Sequence, residues 1–167
     1  LKLLELHPDR LITAAPCGAG WERAEGDALR ELEGVVAPLR QHGTYAPLLR
    51  KLAPEGNPVP WYKVAAVNLY FRLINDEQVM ARVLDSLPEL EVDAEVLERT
   101  RTPVLSIVGG ADRMAEGVAR LEGVLQDHQV VVVPGASHFS ALYSPLFDQS
   151  LLGFLDAHTG GKPPRGT

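Results

Sequence analysis

The chain has 167 residues, of which 46% are hydrophobic and 23% are charged, as in an ordinary globular protein. Its 16 basic and 22 acidic residues give a net charge of −6, which leaves no basic surface for phosphates and argues against a nucleic-acid partner. The single cysteine, Cys17, excludes an internal disulfide and fits a reducing compartment, so we expect a cytoplasmic protein.

The N-terminal residues and the longest apolar run predict no membrane partner. A bilayer-spanning helix needs about 20 apolar residues. The nearest run, residues 64–74, is interrupted by Asn68 and Arg72. Residues 1–6 lack the basic leader and long uncharged core of a signal peptide, and we expect them to form a helix that ends before Pro8.

The first third of the chain predicts one strand and one helix. Residues 11–15 are short, apolar and bounded by Pro16, which predicts a buried strand. Apolar residues then recur at helical spacing over residues 28–39, and Gly34 weakens the helix that they predict. Residues 43–60 contain too many prolines and glycines for regular elements.

The middle of the chain predicts two further helices. Residues 75–78 resemble a capping box, in which the Asn75 side chain accepts an early helix N–H and Gln78 follows three residues later. The helix ends at Pro88, and a short helix over residues 93–98 follows it. The predicted core face of the first helix consists of Val79, Val83, Leu84 and Leu87.

The second half of the chain predicts a βαβ unit. Residues 104–108 and 129–133 are nearly unbroken β-branched runs, as expected for parallel strands covered on both faces. The residues between these two runs predict a helix, because apolar residues recur at i, i+4, i+7 and i+11, which places them on one helical face. These residues are Met114, Val118, Leu121 and Leu125.

A final helix is predicted after the second strand. Ser144 is a favourable N-cap, and Pro145 stands at the first helical position. Residues 159–167 are expected to form a flexible tail. The predicted core face of this helix consists of Phe147, Leu151, Phe154 and Leu155.

Two turns that follow the predicted strands carry the residues of chemical interest. Residues 109–112, Gly-Gly-Ala-Asp, follow the first strand, and residues 134–139, Pro-Gly-Ala-Ser-His-Phe, follow the second. Parallel strands end side by side, so Asp112 is placed to orient His138. Two structural alternatives stay open: Asp112 as the N-cap of the next helix, and His138 as a histidine satisfied by backbone groups.

These segments resemble the α/β-hydrolase fold family, in the half after its nucleophile elbow. Residues 6–12 resemble the end of the nucleophile helix and the approach to the sixth strand, and residues 102–112 the seventh strand with its acid turn. Residues 130–139 resemble the eighth strand with its histidine turn, and residues 147–155 the final helix. Residues 43–100 look like the variable lid of the family.

The resemblance implies an α/β fold with about three parallel strands, the sixth to eighth of the family, flanked by helices and carrying a helical lid. Residues 1–42 and 101–158 would form the C-terminal part of the core, residues 43–100 the lid insertion, and residues 159–167 the tail.

The resemblance also implies a catalytic triad in which His138 is the base and Asp112 the acid. The family's serine stands on a G-x-S-x-G elbow, which these residues do not contain. The chain is therefore expected to be a fragment of a hydrolase for small, apolar, ester-like substrates, with the missing N-terminal half as its partner. The alternative is a non-catalytic module, derived from a truncated hydrolase, that binds a ligand or a partner.

Four aromatic residues in the lid-like region form either its core or the apolar wall of a substrate pocket. They are Trp61, Tyr62, Tyr70 and Phe71.

Other chemistries are poorly supported. A lone cysteine is usually a small buried hydrophobe, so Cys17 is not expected to be a nucleophile. Asp127 lies before the second strand, at the wrong end of the sheet for the acid. The histidines are scattered without a metal motif, and Gly109 and Gly110 do not begin a G-x-G-x-x-G, so no metal and no cofactor is predicted. The serines nearest the histidine turn lack the elbow context of a nucleophile; they are Ser137, Ser140 and Ser144.

Overall fold

The structure is a computed structural model that describes residues 1–23, 25–54 and 58–160. In chain order its helices and strands are α1 Lys2–Leu6, α2 Asp27–His42, α3 Ala46–Leu52, α4 Trp61–Ile74, α5 Glu77–Asp85, α6 Ala94–Arg99, β1 Val104–Gly109, α7 Ala115–Glu122, β2 His128–Val133 and α8 Pro145–Thr159. Short 3₁₀ helices cover Pro8–Arg10, Leu87–Leu90 and Ser140–Tyr143. Among the helices described, none has the length and apolar character that a bilayer crossing needs.

The residues group into two compact units. The first contains Leu1–Trp21 and the chain from Val92 onward, and the second contains Glu22–Glu91. The boundaries expected from the sequence, after residue 42 and before residue 101, differ from these. Helix α2 groups with the second unit because its buried face packs on α5.

The first unit contains the parallel α/β arrangement that the β-branched runs predict. β1 and β2 pair in parallel, with Val104 opposite His128 and Gly109 opposite Val133. Every residue of β1 is buried, so this strand is covered on both faces as predicted. Strand β2 is not covered on both faces, because Val132 is half exposed. The expectation of two covered faces is therefore wrong for this outer strand.

No regular strand forms over residues 11–15. Within that range only Ala14 pairs, in an isolated parallel bridge to Val104, and a second isolated bridge joins Cys17, just beyond it, to Ile107. Both bridges have the same register, which would place Pro16 opposite Ser106. Proline has no N–H to donate to the ladder, and the regular pairing is interrupted there. The sheet of the described residues therefore has two strands, with this irregular segment along the other edge of β1.

Helices α7 and α8 pack on the sheet with part of the faces that their spacing predicts: Met114 and Leu125 lie just outside α7, and Leu155 of α8 is only partly buried. Leu121 and Leu125 are buried in one cluster with Val104 of β1, and Val118 is also buried. In α8, Phe154 is buried, and Phe147 and Leu151 pack in the same cluster.

The ends of α8 are defined by a cap and a glycine. The Ser144 hydroxyl accepts a hydrogen bond from the Leu146 N–H at 3.2 Å, so the predicted N-cap is confirmed. The helix continues through Thr159 to Gly160, whose φ of 68° ends it, so the start of the expected tail is helical. The rest of that tail, residues 161–167, lies outside the described residues.

The second unit is helical and has its own core. Its buried residues are Val36, Leu39, Tyr45 and Ala81. Residues 43–60 were expected to be irregular, but α3 forms there because Pro47 lies in the first turn, where a missing N–H costs no hydrogen bond.

Helix α5 differs from the sequence prediction in its cap and in its core face. Asp76, not Asn75, is the N-cap, and its Oδ1 accepts the N–H groups of Gln78 at 2.8 Å and Val79 at 2.9 Å. Asn75 instead ends α4, where its N–H donates to the Phe71 carbonyl. Of the predicted face, only Leu84 packs in the core; Val79, Val83 and Leu87 are about half exposed, and Met80 and Ala81 face the core in their place.

We expect the chain to self-associate in solution. Leu3, Leu6 and Ile12 of the first unit have exposed fractions of 59%, 55% and 67%, and residues 11–17 pair irregularly along one edge of the sheet. Sedimentation velocity should show a sedimentation coefficient that rises with protein concentration. A Leu3→Ser/Ile12→Ser double variant should reduce that rise, and a wild-type chain that stays monomeric at high concentration would contradict the expectation.

Candidate active site

Two backbone hydrogen bonds hold the acid turn and the histidine turn together at the carboxyl end of the sheet. The Gly110 N–H donates to the Val133 carbonyl at 2.8 Å, and the Ala111 N–H donates to the Ala136 carbonyl at 2.9 Å. The turns approach so closely that a Cβ at Gly109 would lie 2.3 Å from the Ala136 oxygen. Glycine at position 109 is therefore required for this crossing.

The structure brings His138 and Asp112 together. His138 Nδ1 lies 2.9 Å from Asp112 Oδ2. The Asp112 side chain is 1% exposed and that of His138 is 25% exposed. The other carboxylate oxygen, Oδ1, accepts the Met114 N–H at 3.0 Å. Asp112 thus contacts the imidazole with one oxygen and caps the following turn with the other, so the structural and functional roles do not compete.

This geometry assigns the tautomer of His138. A carboxylate has only acceptor sites, so the proton of the neutral imidazole lies on Nδ1 and is donated to Asp112. The lone pair of Nε2 is then available to accept a proton. In the described residues, no serine hydroxyl forms a hydrogen bond to this ring.

A small cleft of about 50 Å³, partly open to solvent, lies beside the pair. Cys17 and Gly18 border it on one side, next to residues of β1. Besides Asp112 and His138, its walls are mostly apolar; they include Ile107, Val108, Ala141, Leu142 and Phe147.

Cys17 borders the cleft as a neutral thiol. Burial raises its pKa, and a hydrogen bond with the backbone of Ile107 only partly opposes this. The Sγ atom lies 3.5 Å from the Ala15 carbonyl oxygen. Because the thiolate is the nucleophilic form, this environment disfavours a nucleophilic role near neutral pH.

The serines near the sheet have structural partners. The hydroxyls of Ser137 and Ser140 are 3.0 Å apart, and the Ser137 N–H donates to Ser140 Oγ at 2.8 Å. Ser106 is fully buried in β1, with its Oγ 2.8 Å from His128 Nε2. Within the described ranges, no three His, Cys, Asp or Glu side chains are grouped as ligands of a metal ion.

The four aromatic residues predicted to form a lid core or a pocket wall lie on α4 of the second unit. Phe71 packs into the core of that unit, with its ring centroid 4.7 Å from that of Tyr45. Trp61 is 81% exposed, and Tyr62 and Tyr70 are also exposed. The core interpretation therefore holds for Phe71 alone, and contact of all four with substrate stays a prediction.

Sequence reasoning missed one residue of the site, Gly18. Its φ is 63°, and a Cβ at this position would lie 3.0 Å from His138 Cε1. The available signal was its place in Pro-Cys-Gly-Ala-Gly, directly after the segment that pairs with β1.

Solved structures of several hydrolases resemble the chain. A carboxylesterase structure from the thaumarchaeon Nitrososphaera gargenis superposes with a TM-score of 0.67 at 15% identity over 96% of this chain and 61% of that one. MGS-M2, an α/β-hydrolase from a Medee basin deep-sea metagenome, gives 0.67 at 14% identity over 99% and 62%. A thermophilic esterase from Thermogutta terrifontis gives 0.66 at 20% identity over 92% and 59%.

No protein-family model matches the chain, and no curated protein does so either. The chain spans about three fifths of the length of the solved structures that it resembles.

The acid turn, the parallel βαβ unit, the histidine turn and the last helix follow one another in the order that the sequence resemblance predicts. The chain therefore has the α/β-hydrolase fold, in the C-terminal part of that fold.

Proposed function

We propose that the chain is the acid- and base-bearing part of an α/β-hydrolase that cleaves ester-like substrates through an acyl-enzyme. The observation that carries the proposal is the 2.9 Å contact between His138 Nδ1 and the buried carboxylate of Asp112, at the edge of an open cleft. In this proposal His138 is the general base and acid, and Asp112 orients it.

In the proposed reaction this chain supplies the base and the acid of the triad, and a serine outside its 167 residues supplies the nucleophile. His138 Nε2 takes the proton of the serine hydroxyl as the oxygen attacks the substrate carbonyl carbon. Asp112 stabilises the imidazolium that forms. His138 then gives the proton to the leaving alcohol oxygen, which leaves the acyl group on the serine. Water attacks the acyl carbon in turn, with Nε2 again taking and then returning the proton.

The walls of the cleft favour an uncharged substrate. Ile107, Ala141 and Phe147 are apolar, and Asp112 is engaged with His138 and with the N–H of Met114. An ionic group placed between these walls would lose water without gaining a partner of opposite charge. Short or medium acyl esters of uncharged alcohols are therefore the substrate class that we propose.

The coding DNA upstream of the Leu1 codon provides the first test. An open frame that leads into a G-x-S-x-G motif about one helix earlier is expected. The longer protein should then hydrolyse 4-nitrophenyl esters. An open frame without such a motif, or a longer protein without hydrolysis, would contradict the proposal.

One observation favours a second candidate, a non-catalytic binding module. The serines near the sheet have other hydrogen-bond partners, and in the described residues no serine hydroxyl forms a hydrogen bond to the His138 ring. In this alternative the cleft binds an apolar ligand without cleaving it. The sequence of the upstream coding DNA also distinguishes the hydrolase from the binding module, since a start codon immediately before Leu1 would favour the module.

The chain alone is expected to show no burst of product with an activated ester and no adduct with a fluorophosphonate, because no elbow serine is present in its sequence. Intact-mass spectrometry measures this directly, with an active serine esterase in a parallel reaction to verify the probe. A stoichiometric adduct on any serine of the chain would overturn the expectation and identify the nucleophile.

A further inference from the structure

Gly18 lies against the imidazole of the candidate base. We propose that Gly18 is a positioning residue, whose side-chain-free backbone holds the His138 ring in the orientation that points Nδ1 at Asp112. The relevance of this role to catalysis rests on the proposed function, but the contact and its consequences for the ring do not.

The distances describe a backbone surface packed on the ring. A Cβ built on Gly18 would lie 3.0 Å from His138 Cε1, 3.3 Å from Nδ1 and 3.8 Å from Nε2. The Phe139 ring approaches the imidazole edge-on, with centroids 5.4 Å apart and planes at 89°. One hydrogen bond leaves the broad χ2 torsion of a histidine free to swing about the Nδ1 contact. The contact at Gly18 restricts that swing.

Gly18 itself is fixed to the sheet. Its N–H donates to the Ile107 carbonyl at 2.8 Å, next to the bridge between Cys17 and Ile107. The ring therefore packs on a part of the backbone that is hydrogen-bonded to the buried central strand.

The loop is also anchored beyond Gly18. The backbones of Gly20 and Gly117 cross so closely that a Cβ on Gly20 would lie 2.2 Å from the Gly117 carbonyl carbon. The Trp21 N–H donates to the Gly117 carbonyl at 2.9 Å, and its indole Nε1–H donates to the Val92 carbonyl at 2.7 Å. Because the loop is held at both ends, a side chain added at Gly18 must move the imidazole more than the loop.

The test measures how fast the Nδ1 proton of His138 exchanges with water in the 167-residue chain. In ¹⁵N-labelled wild-type protein, the Nδ1 proton is expected as a downfield resonance that is protected from exchange with water. Gly18→Ala should speed that exchange by about tenfold, the order expected for weakening one hydrogen bond. The measurement uses no substrate, so an inactive full-length protein would count against the proposed function and leave this result standing.

Gly160→Ala is the matched control. Gly160 has a similar φ of 68°, and a Cβ there would meet nothing within 4 Å, so it tests backbone strain without the ring contact. Its His138 resonance should match wild type. If Gly18→Ala does not fold, the same exchange rate is measured in Gly18→Asn, since asparagine tolerates positive φ. Unchanged exchange in the folded Gly18 variant, or an equal change in the control, would overturn the proposal.

Discussion

Replacement of Asp112 by asparagine is expected to lower kcat by about 10⁴-fold in the protein that includes the nucleophile. The asparagine Oδ1 can keep the hydrogen bond from Met114 N–H, so the turn should survive. Its NH₂ group, however, would face His138 Nδ1 at the position of Oδ2 and donate to it. The imidazole proton then moves to Nε2, which can no longer accept the proton of the nucleophile.

Steady-state kinetics and thermal unfolding together check this prediction. The melting temperature of Asp112→Asn should stay close to wild type while kcat falls, and His138→Ala should lower kcat by a similar factor. Asp127→Asn is the control, because Asp127 is exposed and precedes β2, at the opposite end of the sheet. An Asp112→Asn protein with near-normal turnover would reduce Asp112 to a helix-cap residue.

Gly109→Ala is expected to destabilise the chain by about 3 kcal/mol, the upper end of the usual cost of overpacking. Its Cβ would lie 2.3 Å from the Ala136 oxygen and 2.8 Å from the Ser137 oxygen. Both are backbone atoms of the histidine turn, so neither can rotate away as a flexible side chain would. The two turns must separate, which weakens the Gly110 and Ala111 hydrogen bonds that join them.

Gly153→Ala gives the opposite sign and serves as the matched control. Gly153 lies inside α8, and an added Cβ would meet nothing within 4 Å. Alanine is favoured over glycine in a helix by about 0.5–1 kcal/mol, so this variant should be more stable than wild type. Urea unfolding curves of both variants measure the difference. A Gly109→Ala protein as stable as wild type would contradict the close crossing of the two turns.

The parts of the site that the sequence predicts are those governed by local pattern and parallel topology. The β-branched runs identify β1 and β2, and glycine-containing turns directly follow them. Parallel strands end at the same edge of the sheet, so the proximity of Asp112 and His138 follows from topology alone. Their 2.9 Å contact agrees with that inference.

Other features depend on contacts between distant parts of the chain and were not predictable from local pattern. Val79 and Met80 are both apolar, and only the packing of α5 on α2 selects Met80 for the core. Gly18 lies beside His138, and the nearby Gly20 crosses Gly117, although each partner is roughly a hundred residues away in sequence. Spacing within one element contains no information about such a crossing.

The most direct test of His138 as the base for a nucleophile outside these residues is fluorophosphonate labelling of the full-length protein, followed by peptide mass spectrometry. One adduct is expected, on the serine of a G-x-S-x-G motif upstream of Leu1, and His138→Ala should slow its formation by several orders of magnitude. An adduct on a serine within the 167 residues, or a labelling rate that His138→Ala leaves unchanged, would contradict this assignment.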